Sequence, residues 1–311
     1  MTRRFSLVLL FLAASLALSQ AVSAGVISLG TAANYAIYAG PSINTFTYNG
    51  PGNVTGNVAI GASGAINWAS PATINGAVYE AAGVTGTNSG VTATGGFFTN
   101  QDLSQVYTDA TNASIAAAAL PATNTTWATS GLSDSGSSNV TINATVPAGQ
   151  TVVDIGGSGI NFTGSGGLII NGTAAERVII NVTGNNGDVT FTNSGVMLTG
   201  GITANDVLFN ILGTGNALNI SNTNQFNGTF LVITGNVSVH DSTLNGALLA
   251  VNNASPGGTN APGNASLQDT SGFSVNYQPF TPLSATPEPA TITLLAFGIS
   301  GLFAARKRRQ A

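Results

Sequence analysis

Carboxylates are the side chains of this sequence best suited to hydrolytic chemistry, and they are scattered along it. The chain has 11 acidic residues, and all except Glu288 precede its proline-rich end. A glycoside hydrolase needs two carboxylates that flank the scissile bond, but no two lie close together on one predicted strand face. Asp188, Asp206 and Asp241 begin strands or occupy turns, where Asp hydrogen-bonds nearby backbone. These positions favour structural roles over acid–base catalysis.

A hydrolytic triad or a metal site would have to use the single histidine, His240. Its neighbour Asp241 would point to the opposite face of a strand, so the two do not belong to one triad. One histidine among scattered carboxylates is a weak metal-binding set, and the sequence has no cysteine. A lyase acting on uronic acids needs several cations, and Arg177, which is expected to pair locally with Glu176, cannot supply them. The sequence therefore predicts no enzyme and no catalytic, cofactor or metal site.

Positive charge is concentrated at the two ends of the chain. Among the 7 Lys and Arg residues, Arg177 is the only one between residues 5 and 305. Binding to nucleic acid requires clustered Lys and Arg that neutralise phosphates. The acidic body of the chain therefore excludes nucleic acid as a partner, and an anionic membrane surface is disfavoured for the same reason.

The elements that would carry a site are predicted to be short strands. Between about residues 140 and 251, Val, Ile, Leu and Phe alternate with polar residues, which indicates strands with one buried face. The strand centres recur at roughly ten-residue intervals, which fits a β-sandwich or a solenoid. Turns rich in Asn and Gly, without two-residue hairpin spacing, favour the solenoid, a β-helix of either hand. Asparagines beside the strands are expected to form ladders between coils: Asn171, Asn181, Asn210, Asn219 and Asn227.

Residues 100–120 interrupt this pattern with a helical one. Asn100 is placed to cap a helix and Asp102 to occupy its first turn. An apolar stripe follows and ends before Pro121: Leu103, Val106, Tyr107, Ala110, Ala113, Ala117 and Leu120. The stripe predicts one amphipathic helix that covers the side of the β core.

The N-terminal segment has the three parts of a secretory signal peptide. Arg3 and Arg4 precede an apolar run, and Val22, Ser23 and Ala24 provide the small residues of a cleavage site. We expect a signal helix in residues 1–24 and cleavage after Ala24, which would export the rest of the chain.

The C-terminal segment also has three parts. Pro287, Glu288 and Pro289 precede an apolar run at residues 290–305, and Arg306, Lys307, Arg308 and Arg309 follow it. The run would form about 24 Å of helix, a short transmembrane anchor with its basic end in the cytoplasm. This order resembles the PEP-CTERM sorting signal. The resemblance implies that an exosortase recognises Pro287, Glu288 and Pro289, that the helix enters the inner membrane transiently, and that the protein serves the exopolysaccharide matrix.

Two segments near the N-terminus resemble the bacterial ice-binding-like adhesin family. They are Leu29-Gly30-Thr31-Ala32 leading to Ala39-Gly40, and Val54-Thr55-Gly56-Asn57. The late segments with Asn227-Gly228-Thr229-Phe230 and Leu244-Asn245-Gly246-Ala247 are similar to that family and to choice-of-anchor A domains. The resemblance implies a discontinuous β-helix with a helix along one side.

These observations predict a mostly β protein in four parts. They are a signal peptide at residues 1–24, an ice-binding-like or adhesin-like β-helix at 25–279, a linker with the Pro-Glu-Pro motif at 280–289, and the sorting helix with its basic tail at 290–311. The first hypothesis is a non-catalytic exported protein of the cell surface or exopolysaccharide matrix that binds glycan through exposed Asn, Thr and aromatic residues such as Trp68.

Two alternatives remain. One is an ice-binding protein, although Thr45-Phe46-Thr47 and Thr190-Phe191-Thr192 recur at no fixed coil spacing. The other is a carbohydrate-active β-helix enzyme, which would need two convergent carboxylates.

Overall fold

The alternating segments form parallel strands, as predicted. The structure is a computed structural model that describes residues 27–41, 43–48, 51–61, 65–68, 72–88, 90–184, 189–213, 217–222, 225–251, 265–269 and 272–283. These residues belong to one compact unit, Ile27–Leu283. The expected signal peptide with Ala24, the Pro287-Glu288-Pro289 motif, the anchor helix and the basic residues Arg306 to Arg309 lie outside the described residues.

The strands fall into two groups separated by a helix. Those before the helix are β1 (Tyr35–Ala39), β2 (Ile43–Tyr48), β3 (Asn53–Thr55), β4 (Asn57–Ile60), β5 (Ala65–Trp68), β6 (Ala72–Asn75), β7 (Val78–Ala81), β8 (Thr85–Asn88), β9 (Val91–Ala93) and β10 (Phe97–Gln101). The helix α1 spans Ser104–Ala118. Those after it are β11 (Leu132–Asp134), β12 (Val140–Asn143), β13 (Gln150–Ile155), β14 (Ile160–Phe162), β15 (Leu168–Asn171), β16 (Arg177–Val182), β17 (Val189–Thr192), β18 (Val196–Thr199), β19 (Val207–Ile211), β20 (Leu218–Ser221), β21 (Phe226–Val232), β22 (Val237–His240), β23 (Ser242–Ala250), β24 (Ala265–Asp269) and β25 (Phe273–Tyr277). Short 3-10 turns occupy Gly30–Asn34 and Ala204–Asp206.

The strands stack into three faces of a solenoid rather than the two sheets of a sandwich. Face A follows the order β10-β7-β4-β1-β23-β21-β19-β16-β13, and face B the order β11-β14-β17-β20-β22-β24-β2-β5-β8. Face C contains β12, β15 and β18, then the first halves of β21 and β23, then β25, β3, β6 and β9. The long strand β23 turns a corner, because Ser242–Gly246 pair with β25 and Leu248–Ala250 pair with β1.

The β-helix is discontinuous, as the family resemblance implied. The described part of the chain enters the middle of the stack at β1, continues coil by coil to β10, and returns along α1 to the opposite end at β11. It then climbs again until β24 and β25 meet β2 and β3. Strand β1 pairs with β23 on one side and β4 on the other, so the N-terminal strand supplies the face A side of the last C-terminal coil.

Aromatic and branched side chains fill the interior of the coils. Phe226 stacks on Phe230 with ring centroids 4.3 Å apart and meets Phe191 edge-on at 4.9 Å. Phe209 stacks on Phe230 at 4.4 Å, and Phe162 on Phe191 at 5.4 Å. Burial of these rings and of the branched side chains around them removes a large apolar area from water and stabilises a chain without disulfides.

Helix α1 covers the outside of face A through the predicted stripe. Val106, Ala110, Ala113 and Ala117 are buried against a second apolar cluster that includes Ile179, Leu208 and Leu231. The small Ala residues allow the helix axis to approach the sheet closely. Within the described residues, no helix has both the length and the apolar composition needed to cross a bilayer.

Hydrogen bonds fix α1 on face A in addition to apolar packing. Asn210 is fully buried; its Nδ2 donates to the Ser114 carbonyl at 3.1 Å, and its Oδ1 accepts from Ser114 Oγ at 2.6 Å. Asn181 Nδ2 donates to the Ala117 carbonyl at 3.0 Å, while its Oδ1 accepts from Asn210 Nδ2 at 2.9 Å. The predicted ladder therefore exists at these two positions, and it satisfies carbonyls near the C-terminal end of the helix.

The start of α1 differs from the prediction. Asn100 lies in β10 with φ of 57° and does not cap the helix, which begins at Ser104. Asp102 takes part of the capping role instead, because its Oδ1 accepts from the Ser104 N–H at 3.0 Å. Asp102 and Leu103, which lie between the end of β10 and the start of α1, let the chain leave the sheet edge before the first helical turn.

Asp109 links α1 to the 3-10 turn that precedes β1. Its Oδ2 accepts hydrogen bonds from both the N–H and the Oγ1 of Thr31, each at 2.7 Å. These two donors stabilise the charged carboxylate and lower the pKa of Asp109 below its ordinary value of 3.8.

We expect Asp109→Asn to destabilise the protein by about 1 kcal/mol near neutral pH. Because the pKa of Asp109 is lower in the folded state, its contribution is fully present above the ordinary carboxyl pKa and is lost as the pH falls through the folded value. Urea unfolding of both proteins at several pH values would measure this. The stability gap should close below about pH 4; a gap that stays constant with pH would contradict the role of the charge.

Candidate functional site: the polar outer face

The carboxylates of Glu176 and Asp206 make structural contacts, whereas Asp188 lies outside the described residues. Arg177 Nη1 lies 2.7 Å from Asp206 Oδ1, and Arg177 Nε donates to the Thr281 carbonyl at 2.6 Å. The expected Glu176–Arg177 ion pair is wrong, because the buried Glu176 carboxylate accepts from Thr173 N–H at 2.6 Å instead. The Glu176 side chain folds back over its own turn, which leaves Arg177 free to pair with the next coil.

His240 and Asp241 do not converge. His240 lies on the outer side of β22, where its Nε2 is 2.7 Å from Ser238 Oγ, whereas Asp241 occupies the following turn with φ of 43°. Ser238 and His240 are two residues apart and therefore lie on the same strand face. Their contact was not predicted, although the two-residue period of a strand could have indicated it. Among the described residues, no group of three or more His, Asp or Glu side chains is arranged to hold a metal ion.

The outer side of face B carries one continuous column of uncharged polar residues. Register pairs Ser133 with Asn161, Asn161 with Thr190, Thr190 with Asn219, and Asn219 with Ser238. Through the backbone position of Gln268 the column continues to Thr47, Asn67 and the position of Thr87. We call these nine positions the face B column. At about 4.8 Å between parallel strands, it is roughly 40 Å long.

Alternation along each strand forces the column outward. Phe162, Phe191 and Ile220 are buried in the coil interior, so Asn161, Thr190 and Asn219 must face solvent. Phe46 and Phe191 are likewise buried in the coil interior. Thr47 and Thr190, which seemed unrelated by spacing, therefore lie in the same column.

The face B column differs from face C in how its polar groups are used. On face C, Asn171 Nδ2 donates to Asn143 Oδ1 at 3.0 Å. Side-chain hydrogen bonds of 2.9 Å also run from Asn245 Nδ2 to Asn227 Oδ1 and from Asn276 Nδ2 to Asn245 Oδ1. The predicted ladder is thus confirmed for Asn171 and Asn227, but it is wrong for Asn219, which lies between Thr190 and Ser238 on face B. In the described part of face B, the side chains of six column residues form no intramolecular hydrogen bond: Ser133, Asn161, Thr190, Asn219, Thr47 and Asn67. Their donors and acceptors remain available to a ligand.

Trp68 is not part of this surface, which corrects the expectation that it is exposed. It pairs in register with Tyr48, and only 1% of its surface is accessible. Its ring centroid lies 5.1 Å from that of Phe46 and 5.7 Å from that of Tyr48. The position two residues after Ile66 puts the indole on the inward side of β5.

Solved structures similar to this chain are ice-binding proteins. One from an Arctic yeast shares 15% identity over 86% of this chain and 99% of its own, with a TM-score of 0.49. One from the Antarctic ascomycete Antarctomyces psychrotrophicus shares 14% identity over 84% of this chain and 100% of its own, with a TM-score of 0.41. A domain from Shewanella frigidimarina shares 17% identity over 83% and 97%, with a TM-score of 0.37. A comparison with curated protein sequences gives no match.

Family profiles match nearly the whole chain. The PEP-CTERM protein-sorting motif matches residues 285–309, which marks an exported protein of the cell envelope or surface. The profile of the ice-binding-like adhesive domain matches residues 15–261, more than half of the chain. The chain therefore belongs to the family of ice-binding-like adhesive domains.

Proposed function

We propose that this protein is a non-catalytic adhesin or structural component of the cell surface or exopolysaccharide matrix, and that it binds neutral glycan chains along face B. The face B column carries this proposal. It presents hydroxyl and amide groups in a line roughly 40 Å long, without a charged residue in any of its nine positions.

The chemistry of the column suits weak, repeated contacts. Each hydrogen bond to a neutral ligand contributes only about 1 kcal/mol after water is displaced. A long polymer that engages several rungs at once gains affinity through effective concentration, without any single strong contact. The uncharged column and the acidic body favour neutral polysaccharide over a polyanion.

Ice binding is the second candidate, and membership of an ice-binding-like family favours it. An ice-binding face would need a flat and regular array of small, methyl-bearing residues. The column alternates short hydroxyl residues such as Thr190 with longer amides such as Asn161 and Asn219, which makes it ridged. This relief supports adhesion over ice binding.

A carbohydrate-active enzyme is the third candidate and has the least support. Asp206, Glu176 and Asp109 each accept short hydrogen bonds or an ion pair from neighbouring structure. These contacts hold each carboxylate against neighbouring structure, whereas a glycoside hydrolase needs two carboxylates that flank its substrate. We infer that these residues hold the coils together rather than act on a substrate, and that no cofactor is required.

We also propose how the chain reaches the surface. Cleavage after Ala24 would release it from the export machinery, and an exosortase would recognise Pro287, Glu288 and Pro289. The helix at residues 290–305, stopped by Arg306, Lys307, Arg308 and Arg309, would hold the protein in the inner membrane until that step. The domain at residues 25–279 would then be displayed outside.

Two double variants would test the binding face. Thr190→Glu with Thr47→Glu places charge on face B, and Thr73→Glu with Thr243→Glu places the same charge on face C; all four threonines are partly exposed strand residues. We expect the face B variant to retain at least about tenfold less exopolysaccharide from the producing cells in a pull-down, and the face C variant to match the unchanged protein.

The same three proteins, the unchanged one and the two double variants, separate the alternatives. Inhibition of ice recrystallisation that disappears only in the face B variant would place ice binding above adhesion. Equal glycan retention by all of them would contradict a role of face B, and release of reducing sugar would point to an enzyme.

A further inference from the structure

The two ends of the solenoid differ in how their interior is covered. At the end formed by β11, β12 and β13, the inward residues Leu132, Ile142 and Val153 have at most 1% of their surface accessible. The segment before β11 covers them: Trp127 packs on the core, and the Thr123 N–H donates to the Val152 carbonyl at 2.9 Å. This end is closed.

The opposite end is formed by β8, β9 and β10, and we call it the open end. These strands terminate the three faces, and no described strand pairs beyond them. Their inward residues Val91 and Ala93 are only partly buried, and Phe97 is 38% exposed. Phe98, on the outer side, is 44% exposed and stacks on Tyr79 with centroids 5.3 Å apart. The apolar interior of the coils thus reaches solvent here.

The open end also lacks the charges that usually protect such an edge. No Asp, Glu, Lys, Arg or His occurs between Glu80 and Asp102. Exposed edge strands present unpaired N–H and C=O groups, and proteins that remain single commonly place charged residues or proline on them. The open end has uncharged edges together with two exposed phenylalanines, a combination typical of a surface that another molecule covers.

We propose that the open end binds the open end of a second copy of this chain. The body is acidic, with Arg177 as the only Lys or Arg between residues 5 and 305, so two copies repel each other least where acidic residues are absent. The open end meets this condition and, unlike the uncharged face B column, also exposes the apolar rings of Phe97 and Phe98. A twofold axis through β10 would pair this strand with its own copy in antiparallel fashion and bring Phe98 of each protomer to a shared apolar centre.

The open end offers a small surface for a contact between two copies. Three strands of three to five residues enclose the end, at about 3.4 Å per residue. Two such ends would bury on the order of 1,000 Å² in total, which is near the lower limit for a specific interface. An interface of this size fits a dimer that dissociates readily, and we expect a dissociation constant in the micromolar range.

Sedimentation velocity of the intact protein in a neutral detergent, across the micromolar range, would measure the association. Phe98→Glu puts two like charges at the twofold axis, and we expect it to weaken dimerisation at least about tenfold. Met197→Glu is the matched control, because Met197 is 38% exposed on face C. It should leave the dimer unchanged. Any association through the C-terminal helix would be the same in both variants and would not be mistaken for the open-end contact.

A second variant guards against loss of folding in the first. Thr92→Glu adds a charge on the exposed outer side of β9 without touching the interior, and it should also weaken the dimer while the thermal unfolding temperature stays unchanged. A protein that remains monomeric throughout the range would overturn the proposal. So would a dimer that survives both open-end variants or that Met197→Glu disrupts equally.

Discussion

Gly246→Ala is expected to destabilise the protein by about 4 kcal/mol or more, or to prevent folding. Gly246 lies where β23 turns from face C to face A, with φ of 152°, directly above Gly228 of β21. A Cβ atom there would lie 1.8 Å from the Gly228 carbonyl oxygen and 2.6 Å from its carbon. Both are backbone atoms in a paired ladder, so relief of the clash would break coil-to-coil hydrogen bonds.

Gly83→Ala provides the matched control for this variant. Gly83 also has a positive φ, 85°, but an added Cβ would meet nothing within 4 Å. Only the backbone strain of about 1 kcal/mol should appear. Urea unfolding of both variants separates the two effects. Similar losses in the free energy of unfolding would show that glycine is needed at position 246 because of its backbone conformation rather than because the stacked corners approach closely.

Asn210→Ala is expected to lower the free energy of unfolding by about 3 kcal/mol. The substitution removes a fully buried amide and leaves the Ser114 hydroxyl, the Ser114 carbonyl and the Asn181 side chain without their partner. Each buried polar group that loses its hydrogen bond costs about 1–3 kcal/mol, and the empty space adds to this.

Asn161→Ala is the control for the buried ladder. Asn161 has the same side chain at an outward strand position, but this side chain is exposed and forms no hydrogen bond within the described structure. Its replacement should change stability by less than about 0.5 kcal/mol. If thermal and urea unfolding show equal losses for Asn210→Ala and Asn161→Ala, the amide contacts do not hold α1 on face A.

The strands and the helix could be predicted from short sequence patterns, because burial of one side of an element determines the spacing of its apolar residues. Val178, Ile180 and Val182 alternate with Ile179 and Asn181, and the stripe from Leu103 to Leu120 has helical spacing; both patterns reflect burial on one side. Ile179 and Asn181 also face a covered side, which is why β16 is buried at five of its six positions. The pairing of β1 with β23 leaves no comparable signal, since parallel register between distant segments has no sequence period. The family resemblance implied only that the β-helix is discontinuous and did not indicate which strands pair.

The face B column escaped sequence reasoning because the coils have different lengths. Paired residues are separated by 28 positions at Asn143–Asn171, by 18 at Asn227–Asn245 and by 31 at Asn245–Asn276. A search for a constant repeat therefore cannot align Thr47 with Thr190. Trp68 was misplaced for a related reason: without the start of β5, its side of the strand was undetermined. The contacts of Arg177 with Asp206 and Thr281 likewise depend on coil stacking.

The late closure of the N-terminal coils has a consequence for secretion. The Tyr277 N–H donates to Thr55 Oγ1 across 222 residues of chain, and β1, β2 and β3 all stack on strands from the C-terminal part. A chain that crosses the membrane from its N-terminus exposes β1 first, yet β1 finds its partner β23 only after almost everything else has followed. Such a high contact order slows folding, so the polypeptide stays unfolded while it crosses the membrane. The native stack is then completed only after translocation, on the outer side.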